Sequence, residues 1–353
     1  MIDMFAEQVR AAAAGKRPLR LRGGGTKDFY GRAAQAGEVL DTRGFSGIVD
    51  YEPTELLVTA RAGTPLAELE QALAEKGQML AFEPPHFGPG ATVGGCVAAG
   101  LSGPRRASVG AVRDFVLGVK IIDGRGRLLT FGGQVMKNVA GFDVSRLMAG
   151  SLGTLGLIVE VSLKVLPRPV EECSLRFEMS MDQALTAMNA WAGQPLPVSA
   201  TCWHDGRLTV RLSGARAAIA AARQKLGGDL VADDGDFWTN LREQRAAFFR
   251  GEGALWRLSV PSTTGALGLP DDQLVEWGGS LRWLRGDVDT SSLRDRLRQL
   301  SGHAALFRGE AGAPGDVEVF QPLPAALLAT HQRLKRAFDP EGIFNPGRLY
   351  PSL

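Results

Sequence analysis

Three strings carry backbone chemistry in this chain: Arg22-Gly-Gly-Gly-Thr-Lys27, Phe87-Gly-Pro-Gly-Ala-Thr-Val-Gly-Gly95 and Gly150-Ser-Leu-Gly-Thr-Leu-Gly156. Successive glycines after a strand expose a row of backbone N–H groups, a concavity able to hold phosphate oxygens, and Thr26 and Lys27 add a hydroxyl and a cation to the first string. The two common nucleotide fingerprints fail on spacing. Gly23 and Gly25 require a third glycine at position 28, where Asp28 stands, and no Gly-Lys-Ser/Thr follows a glycine at P-loop distance. A plain glycine-rich turn is the competing reading of the first string taken alone. The second string runs on through Cys-Val-Ala-Ala-Gly100, small and uncharged, which suits backbone packed against a large flat ligand. Metal chemistry has no support: Cys96, Cys173 and Cys202 lie far apart, and Asp233-Asp-Gly-Asp236 lacks the spaced oxygens and final glutamate of a calcium loop. That cluster reads as a loop with Asp236 capping the next helix.

The surrounding elements position these strings. Pro18–Arg22 reads as a short strand entering the first, and Glu55–Arg61 as another. Thr64 is expected to cap a helix begun by Pro65, with Leu66, Leu69 and Leu73 on its apolar face. Val116–Ile122 and Arg127–Phe131 form a hairpin about Asp123-Gly124, and Leu157–Val165 alternates as a strand up to Pro167 and Pro169. Beyond that proline pair come Ser174–Met179, helix Asp182–Trp191, a hairpin of Val198–His204 with Arg207–Leu212, helix Ala215–Leu226 and Asp229–Val231. That βαββαβ order fits helices on an antiparallel sheet. Trp256–Val260, Val275–Leu284 and helix Ser291–Leu300 extend the layer. The tail has a helix from Pro324 with Leu327, His331, Leu334 and Phe338 on one face, then turns at Asp339–Gly342 and Asn345–Gly347.

Composition bounds the function. The 353 residues carry Lys+Arg 40 against Asp+Glu 38, with no basic stripe, which argues against a nucleic-acid partner. More than half of the 45 glycines precede residue 171, where about 7% overall is ordinary. Separated cysteines, acidic Asp3 and Glu7 near the start and the glycine-broken apolar stretch 86–104 predict a cytoplasmic chain with free thiols and no transmembrane segment.

In order, RGGGTK, PGATVGG...AAGLSGPRR...GAVRD, VMKNVAGFDVSRLMAGSLGTLG and LPRP resemble the FAD-binding domain of the vanillyl-alcohol oxidase and p-cresol methylhydroxylase (PCMH) family. QVMKNVAGFDVSRLMAGSLGTLG and FDPEGIFNPGRLY are similar to the smaller FAD-binding subunits of three-subunit glycolate oxidases. The resemblance implies an α+β protein: a two-subdomain PCMH-type FAD-binding domain over 1–169, a smaller α+β cap domain with an antiparallel sheet over 170–320, and a C-terminal segment, 321–353, returning to the FAD domain. It implies that Arg22, Gly23, Gly24, Gly25, Thr26 and Lys27 form the pyrophosphate loop. Thr92, Val93, Gly94 and Gly95 approach the diphosphate and ribityl chain. Ala98, Ala99, Ser102 and Gly103 lie beside the flavin, Gly110 and Val112 pass the isoalloxazine, and Ile158 meets adenine. Some members attach FAD through a histidine after the first glycines; Thr26 and Lys27 stand there, so the expected FAD is non-covalent.

Oxidation of a 2-hydroxy acid needs a base and a cation for the carboxylate. Of the four histidines, His86, His204, His303 and His331, only His86 adjoins the second string, in a turn where a structural role is the stronger reading; His204 borders a hairpin, and His331 reads as a packed helix residue. Arg242, Arg245 and Arg257 are carboxylate-binding candidates, although Trp238, Leu241 and Phe248 at helical spacing put the first two on a solvent or subunit face. The His-rich, GDGN-bearing string of larger catalytic relatives is missing. Catalytic residues are therefore unassigned, with His86, Arg245 and Arg257 as candidates and no metal. The expectation is a subunit of a glycolate-oxidising complex, an electron relay or a flavin-stabilised scaffold. Its partners would be a larger FAD-containing catalytic subunit and an iron–sulfur subunit, its small 2-hydroxy acid substrate that of the assembly, and its membrane association only through partners. The alternatives are a self-sufficient FAD dehydrogenase of a small 2-hydroxy acid, and a glycine-rich binding domain without flavin.

Overall fold

Punctuation by glycine and proline cuts the chain into short strands and amphipathic helices, and a computed structural model shows how they assemble. It describes residues 1–33, 37–133, 143–232, 234–269, 272–309 and 318–353. Part of one quoted string, Gln134 to Phe142, and Asp233 lie outside the described residues.

The chain divides into two compact units: Met1–Leu101 with Ala111–Pro167 and Glu318–Leu353, and Ser102–Gly110 with Arg168–Val317. In the first, β1 (Leu19–Arg22) and β2 (Glu38–Asp41) pair in parallel, and Leu19 bridges to Phe344 of the tail. β3 (Ile48–Glu52), β4 (Leu57–Arg61), β6 (Val116–Ile122), β7 (Leu128–Gly132) and β8 (Leu157–Lys164) form an antiparallel sheet in the order β3-β4-β8-β6-β7, while β5 (Gln78–Met79) pairs with β9 (Leu166–Pro167). The alternation of β8 predicts one wet face, but Leu157, Ile158, Val159, Val161, Ser162 and Leu163 are all buried, because β8 is the central strand with both faces covered. The hydroxyl of Ser162 is satisfied there by Thr59, 2.8 Å away. Helix Ile2–Ala14 sets Phe5 and Val9 against Leu19, Leu40, Ile122, Val159, Ile343 and Phe344, so both ends of the chain share one core.

The second unit holds eight antiparallel strands in the order β13-β10-β12-β11-β15-β16-β14-β17. They are β10 (Glu171–Glu178), β11 (Val198–His204), β12 (Arg207–Gly214), β13 (Asp229–Leu230), β14 (Leu255–Ser259), β15 (Gln273–Glu276), β16 (Leu281–Arg285) and β17 (His303–Arg308). Helices Met181–Ala192 and Arg216–Leu226 bury Leu185, Met188 and Ile219 on the β10–β12 half, and Thr290–Gln299 buries Leu293 and Leu297 on the β14 half.

Several expectations change. Thr64 does not cap the helix Leu66–Glu75; its hydroxyl accepts from Gly47 N at 2.9 Å and donates to Gly47 O. Val275–Leu284 is no single strand but the β15–β16 hairpin, turned at Trp277, Gly278 and Gly279, all at positive φ. Asp236 sits inside the first turn of Asp234–Arg242 rather than at its cap. The tail helix Ala325–Phe338 has no buried apolar stripe: Leu327 is 45% exposed and the buried side chain is Lys335.

Candidate functional site

β1 delivers the chain into the first glycine string, and the second string comes back against it. A Cβ on Gly24 would stand 1.5 Å from Gly90 O, so the two loops touch backbone to backbone and no side chain fits between them. Thr92 accepts from Gly95 N at 3.2 Å and begins the short helix Val93–Ala99, and a Cβ on Gly94 would reach 2.6 Å from Ala62 Cβ. These close approaches shape the wall of a cavity of about 410 Å3.

That cavity gathers Arg22, Gly23, Gly24, Gly25, Thr26, Lys27, Thr92, Gly94, Gly95, Ala98, Ala99 and Ile158, residues far apart in the chain. Val93 and Val112 are buried and do not line it; Ser102, Gly103 and Gly110 belong to the second unit. The sequence reading missed Arg20, Asn345 and Arg348, which also line it. Asn345, at φ 40, accepts from Leu21 N at 2.9 Å and donates to Leu152 O at 2.7 Å, tying β1 to the third string. Arg348 donates to Asp28 O and Tyr30 O at 2.7 Å and to Arg32 O, clamping the loop beyond the glycines. Desolvation, with the charge of Arg20, lowers the pKa of Arg348 from its ordinary range. The only signals in the sequence were the alternation that puts Arg20 and Arg22 on one side of β1, and Asn345-Pro-Gly347, which reads as a turn.

Charge in the cavity is one-sided. Arg20, Arg22, Lys27 and Arg348 face it with one carboxylate, Asp28, among the described lining residues. Arg22 Nε holds Asp28 at 2.9 Å and Lys27 Nζ donates to His86 O at 3.2 Å, whereas Arg20 makes no ion pair among the described residues. His86 itself is engaged, its Nε2 2.9 Å from Glu70 Oε2, and it is not among the lining residues. Arg245 is exposed on the second unit, and Arg257 lies over the Trp277 ring at 5.3 Å. Arg242 is bonded to its neighbour Glu243 at 2.8 Å.

Paired α+β units and a basic, glycine-walled cavity define a class, and comparison with known proteins agrees: residues 2–132 match the FAD binding domain and residues 321–349 the C-terminal domain of FAD linked oxidases. The chain belongs to the FAD-linked oxidase family. It is 51% identical, over 98% of its length and 97% of the relative's, to glycolate oxidase subunit GlcE of Escherichia coli (strain K12). It is also 27% identical, over 64% of its length and 48% of the relative's, to glycolate oxidase subunit GlcD of Bacillus subtilis (strain 168). A solved alkyldihydroxyacetonephosphate synthase shares the fold, with a TM-score of 0.67 at 14% identity, covering 97% of this chain and 74% of that one.

FAD is the cofactor of this family, and the cavity fits it. The positive lining matches a diphosphate carrying two negative charges, the glycine walls admit close backbone approach, and Gly156, Leu157 and Ile158 offer an apolar end. No histidine or cysteine is among the described lining residues.

Proposed function

We propose that this chain is the FAD-binding subunit of a multi-subunit complex that oxidises glycolate or another small 2-hydroxy acid. It holds its FAD non-covalently beside a larger flavin-containing catalytic subunit and an iron–sulfur subunit. The observation that carries this reading is the basic cavity formed by both glycine strings and the tail, in a chain 51% identical to a glycolate oxidase subunit over nearly its whole length. Bound FAD supplies hydride acceptance and single-electron transfer.

Each string has a task in this reading. The Arg22–Lys27 loop and Thr92–Gly95 hold the diphosphate, Ile158 meets adenine, and Ala98 and Ala99 lie beside the flavin. Arg348 and Asn345 keep the loops in place. Non-covalent attachment is supported by the lining, and by Cys96, buried and pushed up to about 12 by desolvation, which leaves it a protonated and unreactive thiol at neutral pH. The role as relay or scaffold, rather than independent enzyme, is supported by the absence of any histidine, His86 included, from the described residues that line the cavity. Among the described residues no helix is long and apolar enough to cross a membrane. We place the chain in the cytoplasm, at the inner membrane face through its partners.

The test is anaerobic. The purified chain should show flavin absorbance, or regain it with FAD, and release the flavin on denaturation. Glycolate should bleach that flavin only when the partner subunits are co-expressed. Absence of flavin after reconstitution overturns the reading, and bleaching of the isolated chain replaces it with a self-sufficient dehydrogenase.

A further inference from the structure

The sheet of the second unit has a second face. Leu175, Leu208 and Val210 share a core with Leu185 and Ile219 of the two helices, so alternation turns Arg176, Arg207 and Thr209 to the opposite side. Arg176 stands directly opposite Thr209 in register, and His204 opposite both Arg207 and Leu274. Over this end of the sheet lie helix Asp234–Arg242, which contributes Phe237 and Leu241, and the turn Ala247–Arg250, which contributes Phe248. Sheet and cover enclose a cavity of about 190 Å3.

The cover is held from several sides. Trp238 Nε1 donates to Ser174 Oγ at 2.8 Å, and Arg285 of β16 donates to Phe248 O at 2.9 Å, Phe249 O at 2.8 Å and Gly251 O at 2.6 Å. Phe248 is buried and meets the His204 ring edge to face, 5.3 Å between centroids.

The polar groups of this cavity lack partners. Thr209 is 3% exposed, yet its hydroxyl makes no hydrogen bond among the described residues, and the guanidinium groups of Arg176 and Arg207 have neither an ion pair nor a hydrogen bond there. Glu178 faces Arg207 across the strands without pairing with it. Asp205, exposed in the hairpin turn, is the one carboxylate among the described lining residues, and Asp272 lies 3.9 Å from His204 Nε2. A buried hydroxyl left unpaired destabilises a fold, so its place between two cations points to a ligand that supplies the acceptor all three lack.

The rest of the lining sets the body of that ligand. Phe237, Leu241, Phe248 and Leu274 are apolar, and an apolar cavity of about 150 Å3 takes up one benzene ring. About 190 Å3 leaves room for a ring and a short acidic group. Cys202 also lines the cavity; desolvation, with the charge of Glu276, pushes its thiol well above its ordinary 9.0, so it adds no nucleophile at neutral pH.

We propose that Arg176, Arg207 and Thr209, with the apolar walls of Phe237, Leu241 and Phe248, form a binding site in the second unit for an aromatic monocarboxylate. The carboxylate accepts from the Thr209 hydroxyl and the guanidinium forks, and the ring enters the apolar end. The site stands whatever cofactor the first unit holds, and glycolate, with no apolar body, is not its ligand.

The test is calorimetric titration of benzoate into the purified full-length chain at low ionic strength. Wild type should bind it saturably, and equimolar glycolate or inorganic phosphate should not displace it. Arg176→Gln should weaken binding about tenfold, the scale of one charge-assisted contact. Thr209→Val, which removes only the hydroxyl, should weaken it several-fold while the melting temperature holds or rises, because an unpartnered buried group is gone. Arg216→Gln, which removes an equal charge from an exposed helix position, should leave the affinity unchanged. If Arg176→Gln fails to fold, Thr209→Val decides in its place. No saturable binding of benzoate by wild type, displacement by glycolate or phosphate, or an affinity in Arg176→Gln or Thr209→Val equal to that of Arg216→Gln overturns the site.

Discussion

At the scale of single residues, glycine is used here where a β-carbon has nowhere to go. Gly24 faces Gly90 O so closely that any side chain must part the two loops that wall the cavity. Gly24→Val is therefore expected to lower flavin content at least about tenfold, with a stability loss of about 1–3 kcal/mol or more from overpacking. Flavin absorbance per chain and a thermal melt measure both. Gly235→Ala is the matched control: nothing lies within 4 Å of its added carbon, and it sits in helix Asp234–Arg242, so flavin content should hold and stability should rise slightly. The glycines of the first strings were legible as functional from sequence because three of them in a row have few other uses. Arg20 and Arg348 were not, because arginine at the surface and arginine in a cavity look alike until the fold encloses one of them.

At the scale of elements, the segment Ser102–Gly110 is secured by a polar cluster that periodicity cannot reveal. Arg105 Nη2 lies 2.5 Å from Glu172 Oε1 and its Nη1 donates to Ser213 at 3.2 Å, while Ser108 donates to Ser199 O at 3.2 Å. Desolvation pushes the Glu172 carboxyl up, but hydrogen bonds from Ser213 and Arg105 and the charges of Arg105 and Arg211 outweigh it and hold the group below its usual 4.5. The unfolded chain thus binds the proton first, so this contribution is complete above pH 4.5 and is lost as pH falls through the lowered native value. Amide exchange over 103–110 should accelerate selectively as the pH is taken below 4.5. Glu172→Gln should show the fast exchange already at neutral pH, with the acid step gone; an unchanged profile would remove Glu172 from this role. Strands and helices themselves were mostly legible, since alternation and apolar spacing are local. What misled was context: β8 looks half-wet by pattern, yet its place at the centre of the sheet buries both faces.

At the scale of the molecule, the tail is built into the first unit. Buried Lys335 donates to Thr154 O at 2.8 Å, to Asp339 Oδ2 at 2.7 Å and to Phe344 O at 2.7 Å, and Asp339 accepts from Ile343 N and Phe344 N. Burial lowers the Lys335 pKa despite the carboxylate, but with all three donors used the ammonium is the form that fits. Lys335→Met should cost about 3–5 kcal/mol, because it leaves Asp339 buried without a counter-charge. It should also release flavin, since Phe344 precedes the cavity residue Asn345. Denaturant unfolding and flavin retention test this, and Lys335→Met with Asp339→Asn should recover part of the loss. Sequence by itself determined the local matters: the glycine strings and the phosphate-type ligand they suit, the turns, the layer type of each half and the family. Tertiary structure alone decided which distant groups meet, joining Arg20 to Arg348 at one cavity and Lys335 to Thr154. The reason is physical: propensity and periodicity act over a few residues, whereas charge, burial and backbone approach are settled only when segments far apart in the chain are packed together.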